Sequence, residues 1–281
     1  MDNLTNKTWR PLRPGGSKIM KKIKTGKLIG VSLGPGDPGL ITRQAWELLS
    51  QDHFWTYPVR ARKSDSYALS IVLRAGLQLP EKSSALVFPM THDLEKLAKH
   101  WLIAAETVLP ILQSGQDVLF LVEGDASTYS TFGHLAKTVV GLDDSIHVET
   151  IAGVSSFNAA AARLDTPLAE VDETMAILPA GYGIPTIDKL LDDFDTLVLL
   201  KVKPILDDIL DLLEQRDLLA HTQFIEKAGT EEERIVKDVA SLRGETVNYL
   251  SLMLVKNVRR VRGEIKRGCR KKPDEMAEAT N

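Results

Sequence analysis

Between residues 28 and 42 the chain reads Leu-Ile-Gly-Val-Ser-Leu-Gly-Pro-Gly-Asp-Pro-Gly-Leu-Ile-Thr: an apolar run, a tight turn, then a helix-like segment. This order places the turn just beyond the carboxyl end of a strand, where open parallel sheets hold their ligands. Gly34 and Gly36 let the backbone come close to a ligand, and Asp37 adds a carboxylate. Gly34, Gly36 and Gly39 formally satisfy the dinucleotide pattern G-x-G-x-x-G, a weak signal by itself. A pyrophosphate at a helix N-terminus needs bare amides and the positive end of the dipole, and Asp37 would repel it. The apolar segment 53–58 also ends without the acidic residue that holds a ribose hydroxyl. A capping role for Asp37 in the turn is compatible with a functional one.

The strand–turn–helix unit recurs. Candidate strands are 27–34, 53–58, 84–90, 117–123 and 147–151. Helical spacing of apolar residues marks 42–50, 66–75, 94–113 and 131–140. In 94–113, Leu94, Leu97, Trp101, Ala104, Ala105, Val108 and Ile111 fall near one face. Alternation of this kind predicts a parallel α/β sheet with right-handed crossovers. After about residue 168 the pattern changes. Strands are expected at 173–178, 196–201, 223–227, 234–239 and 249–255, with helices at 186–193 and 205–215. A single turn signal, Arg243-Gly244-Glu245, separates the last two strands, which predicts a mixed sheet ending in a hairpin. The segment 164–171, with Pro167, is the candidate hinge. The expected fold is therefore two α/β domains, 27–168 with a parallel sheet and 169–260 with a mixed sheet. The cleft between them is a preferred place for a small ligand. A basic extension, 1–26, precedes them and a charged tail, 261–281, follows.

Two further strand ends carry chemistry. The first runs Glu123-Gly124-Asp125-Ala126-Ser127-Thr128-Tyr129-Ser130-Thr131, again a glycine beside a carboxylate, now followed by hydroxyls. The second is Ile151-Ala152-Gly153-Val154-Ser155-Ser156, leading into Phe157-Asn158 and four alanines. Ser155 or Ser156 would cap that helix, and the alanines would let it pack close to a sheet. Together the three turns describe a tight, hydroxyl-lined, locally acidic pocket. Such a pocket disfavours phosphate and favours a cation or an amine-bearing ligand.

Composition narrows the alternatives. A chain of 281 residues with 43% hydrophobic content buries a large core, and its net charge of −3 calls for no polyanionic partner. Both ends are basic, through Lys18, Lys21, Lys22 and Lys24 at the start and Arg259, Arg260, Arg262 and Lys266 towards the end. Solvated termini explain this more simply than a nucleic-acid interface. Cys269 is the single cysteine, so neither an intrachain disulfide nor a thiolate cluster can form, which fits a reducing cytoplasm. His53, His92, His100, His134, His147 and His221 show no metal-ligand spacing, and no metal is expected. No apolar run reaches membrane-spanning length, so no membrane partner is expected.

On these motifs the chain resembles the class III S-adenosylmethionine-dependent methyltransferases, the tetrapyrrole methylases of cobalamin and siroheme synthesis. The resemblance covers about residues 27 to 258. It rests on Gly34-Pro35-Gly36-Asp37 with Ile41-Thr42, on Gly124 to Thr131, on Ala152 to Ser156 and on Leu178-Pro179-Ala180. Glu123-Gly124-Asp125, Gly153 to Ala161, and Glu226-Lys227-Ala228-Gly229-Thr230 with Glu233-Arg234-Ile235 are similar to the members that act on C-20 of precorrin-2 or cobalt-precorrin-2. Ala126 and Ala152 stand where the family has proline, and proline fixes backbone shape.

The resemblance implies an enzyme that uses S-adenosylmethionine, acts on a tetrapyrrole and forms a homodimer. It implies that Gly124, Asp125, Ser130 and Thr131 line the amino-acid end and ribose of the cofactor. Val154, Ser155 and Ser156 would run along it, and Leu178, Ala180, Ala228 and Thr230 would close over adenine. Gly34, Pro35 and Gly36 fall on the substrate side, with Asp37 as the residue that orients pyrrole N–H groups or takes up a proton. Arg43 and Lys201 head the candidates for substrate carboxylates, with Arg60, Arg62, Lys63 and Lys203 behind them. Two other readings stay open. One is a class III methyltransferase acting at another tetrapyrrole position or on a non-tetrapyrrole substrate. The other is a non-catalytic nucleotide- or nucleic-acid-binding module.

Overall fold

The computed structural model describes residues 24–263. Most of the two basic ends, with Cys269, lies outside the described residues.

The first half forms a five-stranded sheet from β1 (Lys27–Ser32), β2 (Phe54–Val59), β3 (Ser83–Val87), β4 (Val118–Val122) and β5 (His147–Ile151). All pairings are parallel and the order is β3-β2-β4-β1-β5. Strand β4 is apolar at every position and wholly buried, because helices cover both faces of the sheet. On one face Leu28, Val118, Phe120 and Val122 pack under α3 (Leu94–Gln113) and α4 (Phe132–Leu142). On the other, Ile29, Val31, Leu119 and Leu121 pack under α1 (Arg43–Leu49) and α2 (Tyr67–Arg74). The apolar face expected for 94–113 holds from Trp101 onward. Leu94 departs from it, at 75% exposure, because it lies in the first turn beyond the reach of the sheet.

The second half forms a mixed sheet from β6 (Met175–Pro179), β7 (Thr196–Leu200), β8 (Thr222–Glu226), β9 (Arg234–Val236) and β10 (Ser251–Lys256). Its order is β6-β7-β10-β8-β9, with only β6 and β7 parallel. The expected hairpin of the last two strands does not form. β9 pairs with β8, and β10 inserts between β7 and β8. Burial explains the difference: β10 carries Leu252, Met253, Leu254 and Val255, all buried, and needs a neighbour on each side. β9 is largely exposed and suits an edge.

Helices α6 (Ile184–Asp193) and α7 (Leu206–Gln215) cover one face of this sheet. The other face meets α5 (Ser156–Arg163), whose Ala160 packs with Val198, Leu200, Ile225, Leu252 and Leu254. The alanine run does pack against a sheet, but the sheet is the second one. Arg260 and Arg262, from the basic stretch read as solvated, are instead paired with buried Asp195 at 2.5 and 2.6 Å. Among the described residues, no helix is long and apolar enough to cross a membrane.

Candidate active site

In the first sheet, the connection from β1 leaves towards β2 and the connection from β4 leaves towards β5. These neighbouring strands therefore define a switch point, with a crevice beyond their carboxyl ends. The turns after them are tied together. Gly124 N–H donates to the Gly34 carbonyl at 2.7 Å, and Gly34 N–H returns the bond at 3.2 Å. Both glycines have φ near +70° (76° and 72°), a region that costs a residue with a Cβ.

The third turn joins through two polar side chains. Buried Ser32 donates to the Ile151 carbonyl at 2.5 Å and accepts from Ala126 N–H at 2.8 Å. Proline at 126 would lack that N–H, so the family's missing proline is exchanged here for a hydrogen bond. Asp125 accepts from Gly153 N–H at 2.7 Å and from Ser127 N–H at 2.8 Å, and the Ser127 hydroxyl also donates to it. Burial pushes the Asp125 carboxyl upward, but the donors at Ser127, Gly153 and Thr128 outweigh it and hold the group below its ordinary range.

Between the two sheets these turns open onto a cavity of about 640 Å³. The first half contributes Arg60, Tyr67, Glu123, Gly124, Asp125, Tyr129, Ser130 and Thr131, and α5 contributes Ser155 and Ser156. The second half contributes Lys201, Lys227, Ala228 and Tyr249. Among the described residues six non-glycine residues have positive φ, and three of them, Tyr129, Lys201 and Lys227, line this cavity. Backbone strain of this kind gathers at functional sites. The Lys201 ammonium lies 5.7 Å from the Tyr249 ring centre. Tyr129 hydroxyl crosses to the second sheet and donates to the Ile177 carbonyl at 3.1 Å. Tyr67 donates to the Pro35 carbonyl at 2.9 Å. Burial, with Glu123 nearby, pushes its phenol up to about 12.

The expected site residues divide. Gly124, Asp125, Ser130, Thr131, Ser155, Ser156, Ala228, Lys201 and Pro35 come together on the cavity wall. Val154 is half-buried and does not line it. Leu178 and Ala180 sit in the core of the second half, under α6 and α7. Gly34 is spent in the bridge to Gly124. Gly36 and Thr230 meet each other instead of the cavity: a Cβ on Gly36 would stand 2.7 Å from the Thr230 methyl. The first turn is thus an inter-sheet contact. Asp37 is exposed there, and its carboxylate accepts from Gly39 N–H at 2.8 Å. A three-residue 3-10 helix, Pro38–Leu40, follows this turn, and α1 begins only after Thr42, which caps it, so the turn does not open directly into an α-helix as a dinucleotide site requires. Arg43 points into solvent and pairs with Glu47 at 2.8 Å. The sequence reading passed over Tyr67, Tyr129 and Tyr249, and gave Glu123 no role of its own. Glu123 carried a signal, as the one charged residue closing the apolar run of β4.

The cavity residues suit a ligand with an amino-acid end. Thr131 and Ser155 occupy the N-cap positions of α4 and α5, yet neither hydroxyl is used as a cap. A Cβ on Gly124 would meet nothing within 4 Å, so the missing side chain leaves room at the mouth of the switch point.

The family model described as Tetrapyrrole (Corrin/Porphyrin) Methylases matches residues 27–242. The chain belongs to the tetrapyrrole methylases. Within them, it is 33% identical over 248 residues to a probable cobalt-precorrin-2 C(20)-methyltransferase of Methanocaldococcus jannaschii, covering 87% of this chain and all of that relative. It is 31% identical to the cobalt-precorrin-2 C(20)-methyltransferase of Salmonella typhimurium, covering 82% of this chain and 96% of that relative. Solved tetrapyrrole methylases share the fold. A cobalt precorrin-4 methyltransferase aligns with a TM-score of 0.61 at 23% identity, over 82% of this chain and 94% of that one. The uroporphyrin-III C-methyltransferase of Thermus thermophilus, complexed with S-adenosylhomocysteine, aligns at 0.56 and 24% identity, over 83% and 99%.

Proposed function

We propose that this tetrapyrrole methylase transfers a methyl group from S-adenosylmethionine to C-20 of precorrin-2 or cobalt-precorrin-2. The observation that carries the reading is the cavity itself. It lies at the switch point of the first sheet, with the N-termini of α4 and α5 on one wall and cationic side chains on the other. Relatives named for C(20) methylation match this chain along most of their length and support the choice of substrate.

Bound S-adenosylmethionine supplies a methyl already activated on a sulfonium, so the chain need not form a covalent intermediate. The residues supply alignment. The N-termini of α4 and α5, with Ser130, Thr131, Ser155 and Ser156, suit the amino-acid carboxylate and neighbouring hydroxyls. The Asp125 brace fixes the Gly124 turn against the Gly153 turn, so these donors keep a set spacing. Arg60 and Lys201 offer cations to the carboxylates of a tetrapyrrole rim, beside Lys227, whose ammonium is paired with Glu232. Phe88, Met90 and Leu252 give the macrocycle an apolar wall. Holding two reactants in near-attack geometry is worth roughly 7–11 kcal/mol. We read the assembly as a cytoplasmic homodimer, on the strength of the family resemblance and the lone cysteine. The nucleic-acid reading loses support because Arg260 and Arg262 are occupied by Asp195.

The test is incubation of the purified chain with labelled S-adenosylmethionine and precorrin-2, with and without cobalt. A gain of one methyl at C-20 is expected from at least one form. Failure with both forms removes the substrate assignment.

A further inference from the structure

A C-20 methylation has a proton to dispose of. A meso carbon carries one hydrogen and ends with a methyl in its place. The π pair at C-20 forms the new C–CH₃ bond, and the sulfur keeps the pair of the broken S–CH₃ bond. The C–H bond then breaks, its pair returns to the macrocycle, and H⁺ leaves. Resting on the reading above, we infer that the Glu123 carboxylate is the group that takes this proton.

Position comes first. Glu123 follows directly on the buried strand β4 and lines the cavity between the two sheets, one residue before the Gly124 turn. Its carboxylate makes no hydrogen bond or ion pair with the described residues, so its lone pairs are not committed. Glu123 is exposed to the cavity, and the protein packed around it still desolvates its carboxylate. That desolvation pushes the carboxyl upward, and Arg60 and Lys201 partly oppose it. An uncommitted carboxylate on the cavity wall, with its proton affinity raised by desolvation and two cations opposing that rise, is suited to general-base work.

Most alternatives on the cavity wall are spent. Asp125 is fully engaged by backbone and hydroxyl donors and held below its ordinary range. The Tyr67 hydroxyl donates to the Pro35 carbonyl. Asp37 caps Gly39 and is not on the wall. Asp65 also lies on the wall and, like Glu123, is exposed, but it stands in the loop before α2, away from the Gly124 turn. The wall otherwise carries the basic side chains Arg60, Lys201 and Lys227 and the phenols Tyr129 and Tyr249, and among the described residues it holds no further carboxylate.

The experiment compares the full chain with E123Q and E123D through three readouts. Infrared titration of the ligand-free protein should show a carboxyl that protonates above the usual carboxylate range and vanishes in E123Q. Calorimetric affinity for S-adenosylhomocysteine should change less than threefold. Single-turnover methyl transfer should slow by about 100-fold or more in E123Q, the scale of general-base losses, with partial recovery in E123D. Unchanged turnover in E123Q, in a wild-type chain that methylates C-20, overturns the inference alone. Loss of S-adenosylhomocysteine affinity at an unchanged maximal rate overturns it in favour of cofactor binding. A wild-type chain inert towards both precorrin forms overturns the substrate reading and, with it, this role. The infrared band then shows separately whether Glu123 has the raised proton affinity claimed for it.

Discussion

The carboxylate of Asp125 accepts a 2.7 Å hydrogen bond from the backbone N–H of Gly153, joining two turns that lie 28 residues apart in the chain. The bond spans the ends of β4 and β5, with β1 between them. It fixes the distance between the hydroxyls after Gly124 and those after Gly153. Asp125→Ala leaves the part-buried Gly153 and Ser127 donors unpaired and is expected to cost about 1–3 kcal/mol of stability, from the penalty for unmet bonds. S-adenosylhomocysteine affinity should fall with it. Chemical denaturation and calorimetry check both; affinity equal to wild type would show that the turns keep their spacing without the brace.

Gly36 carries a second prediction. An added Cβ would stand 2.7 Å from the Thr230 methyl, 2.8 Å from the Tyr67 hydroxyl and 3.1 Å from the Ala228 carbonyl. G36A should therefore push the two sheets apart and destabilise by about 1–3 kcal/mol, the usual range for overpacking. Removing the Thr230 methyl in G36A/T230S should recover part of the loss in a melting experiment. No recovery would place the strain at Tyr67 instead.

Asp37 and Glu123 can be set against each other. Asparagine caps a turn nearly as well as aspartate, so D37N should keep turnover within about threefold if capping is its work. A loss of 100-fold would return the proton to Asp37 and count against Glu123. The measurement is the single-turnover rate of D37N beside E123Q.

The Asp195 cluster makes stability depend on pH. Burial alone would raise this carboxyl, but Thr174 N–H at 2.8 Å, Arg262 and Arg260 hold it far below its usual range. A folded-state pKa below the unfolded one gives stabilisation that is complete above about pH 4, the unfolded value. It is lost as pH falls through the acid range. D195N should cost about 2 kcal/mol at pH 7. Its difference from wild type should shrink as both are acidified. A gap that stays constant down to pH 2 would refute the assignment.

The β-αβ alternation of the first half was legible because each strand is a short apolar run and each helix repeats at 3.6 residues. The mixed sheet was legible strand by strand, but not in its pairing. Local sequence joins Arg234–Val236 to Ser251–Lys256 through one turn, whereas burial on both faces of β10 decides its neighbours. At the site, the hydroxyls and Gly124 after β4 and β5 were readable as cavity-lining residues because they directly follow strand ends. The place of Asp37 off the cavity wall was hidden for the opposite reason. Its turn is the loudest motif in the chain, yet the second sheet packs onto it through Ala228 and Thr230. Nothing in the sequence near residue 37 announces a partner nearly 200 positions away. Glu123 hid behind its neighbours, since a charge closing a strand commonly belongs to the solvent.

Helix α5 begins in the last turn of the first sheet and is buried against the second. Cut after Ile151, the chain would yield one fragment with a complete parallel sheet and another holding Ser155, Ser156 and the surface on which they are mounted. Neither fragment owns the whole cavity wall. Mixed together, they would regain affinity for S-adenosylhomocysteine only by reassociating, and the ligand would then act as a reporter of that reunion.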